Sequence, residues 1–206
     1  MPSNATFLEV KNAFQSIAGL ESLTAADEFF LTSSLNRAVY RAYNESDSWP
    51  RYLVVGESRL IITDPAATVP YAEASKETIG EFLRVHKTKP FLSNSALEFE
   101  FYVDSVGAHI LNLTTSDSTS VFVTYKKELQ ANFTPDSTDI PAEFVDYIIY
   151  TALTDFYTGD GQTEKAAVAA SQAKMMLDIE LLRLDKKSNN NTINKKFSTY
   201  VNRQSR

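Results

Sequence analysis

Cysteine is missing from all 206 residues, histidine occurs twice, tryptophan once and glycine six times. Without cysteine the chain can build neither a disulfide framework nor a thiolate metal site, which fits a reducing compartment. His86 and His109 fall in separate segments, with no pair of acidic residues at ligand spacing, so both are expected at the surface or at a strand edge rather than on zinc. With so little glycine there is no phosphate-cradling loop or dinucleotide fingerprint, and no Gly-x-Ser-x-Gly elbow occurs. No apolar run approaches the roughly 20 residues that a membrane span needs. Residues 1–6 lack a charged start and an apolar stretch, so the expectation is a soluble chain made in a cytoplasm, with no membrane partner. Five Asn-x-Ser/Thr matches, beginning at Asn4, Asn44, Asn112, Asn132 and Asn190, are read as chance in a chain rich in these residues.

The acidic residues give little more. Residues 155–161, Asp-Phe-Tyr-Thr-Gly-Asp-Gly, share some texture with a calcium loop but lack its alternating oxygen ligands and closing glutamate, and read as the break between two helices. Asp136, Asp139 and Asp146 are explained by loop solvation and helix capping. Paired carboxylates for glycoside hydrolysis stay open, because their separation is a three-dimensional quantity. The expectation is a protein that is not an enzyme and holds no cofactor and no metal.

What the chain does have is a strong charge asymmetry. Residues 186–206 contain Lys186, Lys187, Lys195, Lys196, Arg203 and Arg206 and no acidic residue, a formal charge of +6. The whole chain has 20 basic and 26 acidic residues, so the remainder carries 14 against 26, or −12. Basic tails on acidic bodies are commonly interaction segments. The stretch Ser188-Asn189-Asn190-Asn191-Thr192 lacks the apolar content to offset ordering entropy, which predicts disorder in isolation. Ile193, Phe197, Tyr200 and Val201 nevertheless recur there, and a partner could bury each for roughly 1.5 to 3 kcal/mol. Together these residues define a flexible docking arm over 186–206.

Periodicity divides the rest. Phe7, Val10, Phe14 and Ile17 have helical spacing, ended by Gly19. Thr24 with Asp27 resembles a capping box opening a second helix, whose buried face would be Leu31, Leu35, Ala38 and Ala42. Trp49 and Pro50 mark the junction where the texture turns extended; Trp49 is expected to anchor two modules. Runs at 52–55 and 60–63, separated by Gly56-Glu57-Ser58, predict a hairpin. A short helix is expected within 76–86, where Ile79, Phe82 and Leu83 recur. The alternation over 97–103 predicts one strand, with Leu97, Phe99, Phe101 and Val103 on one face. Strands over 108–113 and 120–125 would complete an antiparallel meander. Helix returns at Pro141 with Asp139 as cap, and Phe144, Val145, Ile148, Ile149, Ala152, Leu153 and Phe156 form a broad apolar face. After the glycine break, an alanine-rich stripe from Ala166 to Leu184 predicts a helix of about 24 residues. The fold class is therefore α+β: a helical bundle from residues 1–49 and 131–185, an inserted antiparallel β module at 50–130, and an extended C-terminal arm at 186–206.

This order of elements, with the helix 35–43 leading into Trp49-Pro50, the β module, and then residues 140–156 followed by Gly159-Asp160-Gly161, resembles the head-to-tail adaptor proteins of tailed bacteriophages, of the kind similar to tail tubular protein A. The resemblance covers most of the chain in element order and rests on loose helical motifs. Its β module looks larger than in minimal helical adaptors. The resemblance implies a virion subunit at the head–tail junction. It implies a ring, commonly of twelve copies, that joins the portal protein to a tail or nozzle protein and lines the DNA exit channel. Its C-terminal extension would dock on the portal.

The charge pattern agrees with such a conduit, since an acidic body repels phosphates and lets genomic DNA pass without specific binding, whereas gripping DNA requires clustered Lys and Arg. A tail-terminator or head-completion subunit is the nearest alternative. A carbohydrate- or receptor-binding β module is the other, with Tyr102, Phe122 and Tyr125 as its candidate platform.

Overall fold

The structure, a computed structural model, describes residues 4–62, 67–90, 97–111, 113, 120–130 and 132–204, with side chains described as far as Asp185. It is a mixed α+β protein with antiparallel sheets. In chain order its elements are β1 (Asn4–Ala5), α1 (Phe7–Ala18), α2 (Ala25–Asn44), β2 (Leu53–Leu60), β3 (Thr68–Pro70), β4 (Ile79–His86), β5 (Glu98–Phe99), β6 (Phe101–Val103), β7 (Gly107–Ile110), β8 (Ser120–Lys127), β9 (Ile140–Pro141), a 3-10 turn (Ala142–Phe144), α3 (Val145–Gly159) and α4 (Thr163–Gln204). The chain divides into two compact units, Met1–Ser46 with Ala131–Arg206, and Asp47–Gln130.

In the helical unit, local chemistry sets the helix ends. Thr6 and Thr24 each open a helix with a reciprocal capping box, through Glu9 and Asp27 respectively. Hydrogen bonds from Thr6 and from Thr24 hold the Glu9 and Asp27 carboxyls below their ordinary range. Gly19 closes α1 in the left-handed conformation, φ 73°, that favours glycine. Packing converges on α3, which contacts α1, α2 and α4. Its Ile148, Ile149, Ala152 and Leu153 are buried, as are Val10 and Phe14 of α1 and Leu31, Leu35, Ala38 and Ala42 of α2. Phe14 meets Phe156 edge-on at 5.7 Å between ring centres.

Pro141 does not begin this helix. It pairs with Asn4 in the two-stranded β1–β9 ladder, and α3 starts at Val145 without a side-chain cap, so Asp139 does not cap it. The alanine-rich helix, expected to be about 24 residues, is 42 residues long. No glycine or proline occurs from Thr163 to Gln204 to stop it. The backbone expected as an extended, disordered arm therefore continues α4 as far as Gln204.

The β unit has one four-stranded sheet, order β2-β8-β4-β5, and one three-stranded sheet, order β3-β7-β6. Val69, Ala108 and Ile110 from the smaller sheet share a core with Ile79, Phe82, Val85, Val121, Val123 and Tyr125 from the larger. Four sequence expectations change here. Gly56-Glu57-Ser58 is no turn: β2 runs through it with one residue extra against β8 between Val54 and Glu57. Residues 79–86 form a strand rather than a helix, and two register shifts explain the deception. Each shift inserts a residue, so Ile79, Phe82 and Val85, spaced by three, still face the same core. Residues 97–103 do not form one strand. β5 joins the larger sheet and β6 the smaller, with the break at Glu100, and Leu97 and Val103 are exposed while Phe99 and Phe101 pack on the core. Strand β8 does not follow β7 in a meander but lies between β2 and β4, so of the expected meander β6–β7 remains as a hairpin.

Two glycines are required by this packing. Gly56 has φ 62° at the bulge, where an added Cβ would lie 2.7 Å from the Pro90 ring. Gly107 approaches β3 so closely that a Cβ would sit 2.1 Å from the Val69 carbonyl oxygen. Gly107→Ala is expected to destabilise more than Gly56→Ala, because a paired backbone cannot move aside as a surface ring can. The smaller loss should be about 1 to 3 kcal/mol. Urea denaturation of the two variants checks the order, and the reverse order would show that β3 and β7 separate easily.

Candidate assembly surfaces

In the helical unit, polar side chains fasten the helices to one another at a few points. Ser34 on α2 donates to Asp155 on α3 at 2.6 Å, and Arg37 reaches the same carboxylate at 3.0 Å. Lys11 on α1 pairs with Glu28 on α2 at 2.8 Å. Asn36 grips the returning chain with both ends of its amide, donating to the Phe133 carbonyl at 2.9 Å and accepting from the Phe133 amide at 2.8 Å. These contacts fix the frame from which α4 leaves.

Along α4, Ala166, Ala169, Ala173 and Leu177 are buried, whereas Ala170, expected in the same stripe, is exposed. The small side chains allow a close approach to α3. A groove of about 410 Å³ runs between α1, α3 and α4, lined by Ile17, Tyr150, Tyr157 and Val168, with Lys165 lying 5.4 Å over the Tyr157 ring. A second, of about 380 Å³, lies between α2, α3 and α4 and includes Arg41, Thr151, Lys174 and Asp178.

Of the expected docking residues, Lys186, Lys187, Ile193, Lys195, Lys196, Phe197, Tyr200, Val201 and Arg203 fall on the backbone of α4, but their side chains lie outside the described residues, as does Arg206 altogether. Trp49 and Pro50 stand just after the start of the β unit. Trp49 is almost wholly buried and so offers no surface to another subunit, and its carbonyl accepts from the amides of Tyr52 and Leu53 at 2.9 Å.

The β unit holds two polar clusters that sequence reading missed. In one, Arg59 is fully buried and its Nη2 donates to the Tyr125 hydroxyl and the Glu77 carbonyl, each at 2.6 Å, while lying 2.8 Å from Glu57. Tyr125 donates to Glu57 at 2.8 Å. Burial, reinforced by that bond to Glu57, pushes the Tyr125 phenol up to about 12. Lys126 is also buried, 3.7 Å from Asp47, and desolvation holds its ammonium below the usual lysine range.

In the other cluster, His109 stacks on Tyr102 at 4.7 Å, its Nδ1 meets the Thr68 hydroxyl at 2.8 Å, and its Nε2 lies 2.9 Å from the Asp104 carboxylate. Asp104 also accepts from the amides of Val106 and Gly107, and the first of these bonds chiefly lowers its pKa. Hydroxyl, imidazole and carboxylate in a row have the connectivity of an acyl-transfer nucleophile. Thr68, however, is only 4 % exposed, and Thr68, His109 and Tyr102 are direct cross-strand partners, so the row braces the β6–β7 hairpin.

The histidine expectation is thus corrected for both: His86 is buried on β4, and His109 lies on the middle strand of the smaller sheet, neither at the surface nor on an edge strand. A one-faced platform of Tyr102, Phe122 and Tyr125 is not formed, since Tyr125 lies in the core. Among the described residues, no group of three His, Asp or Glu side chains is gathered as a metal site would require. No described helix is long and apolar enough to cross a membrane.

The Tyr125 shift sets an alkaline limit. Because the folded pKa lies above the unfolded value near 10, the folded state holds its proton longer. Its stabilising share is complete below pH 10 and is lost as pH rises to about 12. Spectrophotometric tyrosine titration should show one phenol ionising late, and Tyr125→Phe should abolish that phase; an unchanged titration would break the assignment. Asp155→Ala is expected to cost about 1 to 3 kcal/mol by taking the acceptor from the buried Ser34 hydroxyl, against about 1 kcal/mol or less for the exposed Arg37→Ala, and chemical denaturation separates them. No family model and no curated protein sequence matches this chain.

Proposed function

We propose that this chain is a structural virion subunit, a head-to-tail adaptor of a tailed phage that forms a ring of twelve copies between the portal and the tail or nozzle. The observation that carries the reading is the disproportion of the two C-terminal helices. At 1.5 Å per residue, the 42 residues of α4 extend about 63 Å, whereas the 15 residues of α3 extend about 22 Å. The sequence beyond Asp185 holds all of the +6 segment. A helix far longer than its partner, changing from an alanine-rich packing stripe to a basic end, suits a subunit that completes its own fold and then reaches a neighbour. On this reading the residues from Lys186 to Arg206 form the portal-docking element, carried on the α4 backbone as far as Gln204.

The acidic remainder, at −12, supports a channel wall over which DNA slides. The burial of Tyr125 weakens the carbohydrate-binding alternative. Quantitative mass spectrometry of particles from the source lysate should find one copy of this chain per portal subunit, and absence from mature particles would overturn the reading. Deleting residues 186–206 should abolish co-purification with the portal while leaving the β unit folded. Tight DNA retardation at physiological salt would contradict the channel role.

A further inference from the structure

Helix α4 has two apolar stripes, and α3 covers only one. At about 100° per residue, the buried Ala166, Ala169, Ala173 and Leu177 lie on one side of the helix. Val168, Met175, Ile179 and Leu182 lie on another side, and are 63, 44, 38 and 58 % exposed, with Val168 also at the edge of the groove beside α1. With Gln172 they are spaced four, three, four and three. That is the heptad rhythm, with Val168, Met175 and Leu182 at d and Gln172 and Ile179 at a.

The flanking charges say what covers this seam. Asp178 occupies g, and Arg183 occupies e of the following heptad; both are exposed, and Glu180 steadies Arg183 from the same helix. In a parallel two-stranded pair, each g residue faces the e residue five positions on in the other strand, so Asp178 of each copy meets Arg183 of the other. An antiparallel pair overlapping the same two heptads would set Asp178 against Asp178 and leave Arg183 opposite Ala169. We propose that the outward face of α4 is a self-association surface, through which two copies of this chain pair with their α4 helices parallel.

The polar Gln172 at an a position opposes its own copy and pins that register. Since α3 already orders this part of α4, pairing does not have to fold the helix. In the sequence the next two seam positions are Lys186 and Asn189, so the seam covers two heptads and gives a weak, concentration-dependent dimer. The pairing goes beyond the ring reading. A two-fold seam uses the same patch on both copies, whereas a ring joins two different patches, so the seam describes the free chain.

The natural lack of cysteine makes the test direct. Ile179→Cys places a thiol at an a position that faces itself across a parallel seam. Tyr40→Cys, at an exposed position on α2 away from the seam, measures random collision. In the concentrated full-length chain under mild oxidation, Ile179→Cys is expected to give a disulfide-linked dimer well above the Tyr40→Cys background. Adding Asp178→Arg should lower that yield roughly fivefold, and further adding Arg183→Asp in the same chain should restore it. Circular dichroism establishes that these surface variants are folded. A yield from Ile179→Cys no greater than the background overturns the seam, and a loss with Asp178→Arg that Arg183→Asp does not restore overturns the parallel pairing. Neither result touches the ring reading, which stands or falls on particle composition.

Discussion

Everything in the helical unit depends on the burial of α3. The three other helices all pack against it, and its Ile148, Ile149, Ala152 and Leu153 are buried. Because α3 follows the β unit in sequence, α1 and α2 cannot complete their core until the chain returns past residue 130. Asn36 marks that return, exchanging two hydrogen bonds with the backbone of Phe133. Such non-local closure is entropically costly, and the broad apolar face of α3 offsets it.

In the β unit the corresponding role falls to β8, which is paired on both sides and buries Val121, Val123 and Tyr125. Both of its neighbours reach it with extra residues, and those insertions decide which side chains face inward. One consequence is the buried Arg59. A guanidinium in a core is costly unless paired, and here Glu57, Tyr125 and the Glu77 carbonyl surround it. Removing Glu57 would leave the buried charge without its counter-ion, so the cluster ties the packing to a single register.

Helix α4 links the fold to the proposed assembly. Ala166, Ala169, Ala173 and Leu177 face α3, the alanines letting the two helices approach closely, while Val168, Met175, Ile179 and Leu182 are left exposed. A helix with apolar residues on a second, uncovered side is shaped for a second partner, and the basic end beyond Asp185 changes the kind of partner it can meet farther along.

Much of the helical unit was legible in the sequence, because capping boxes and three-four spacing are local signals: Thr24 with Asp27, Gly19 closing α1, and the face from Phe144 to Leu153 needed only neighbours in sequence. The length of α4 was not legible, because the polar stretch 188–192 carries no packing periodicity, although no glycine or proline in 163–204 breaks a helix. In the β unit, strand existence was legible over 97–103 and 120–125, but the bulges were not. An extra residue turns a strand's period of two into an apparent three, and only pairing with β8 shows the difference. The clusters around Arg59 and His109 were invisible for the same reason, as Thr68, Asp104 and His109 meet only through strand pairing. Composition, charge asymmetry and helix ends were set by the sequence itself, because their causes act within a few residues. Register, sheet order and the uncovered face of α4 belonged to the tertiary structure, because each depends on which distant segment lies alongside.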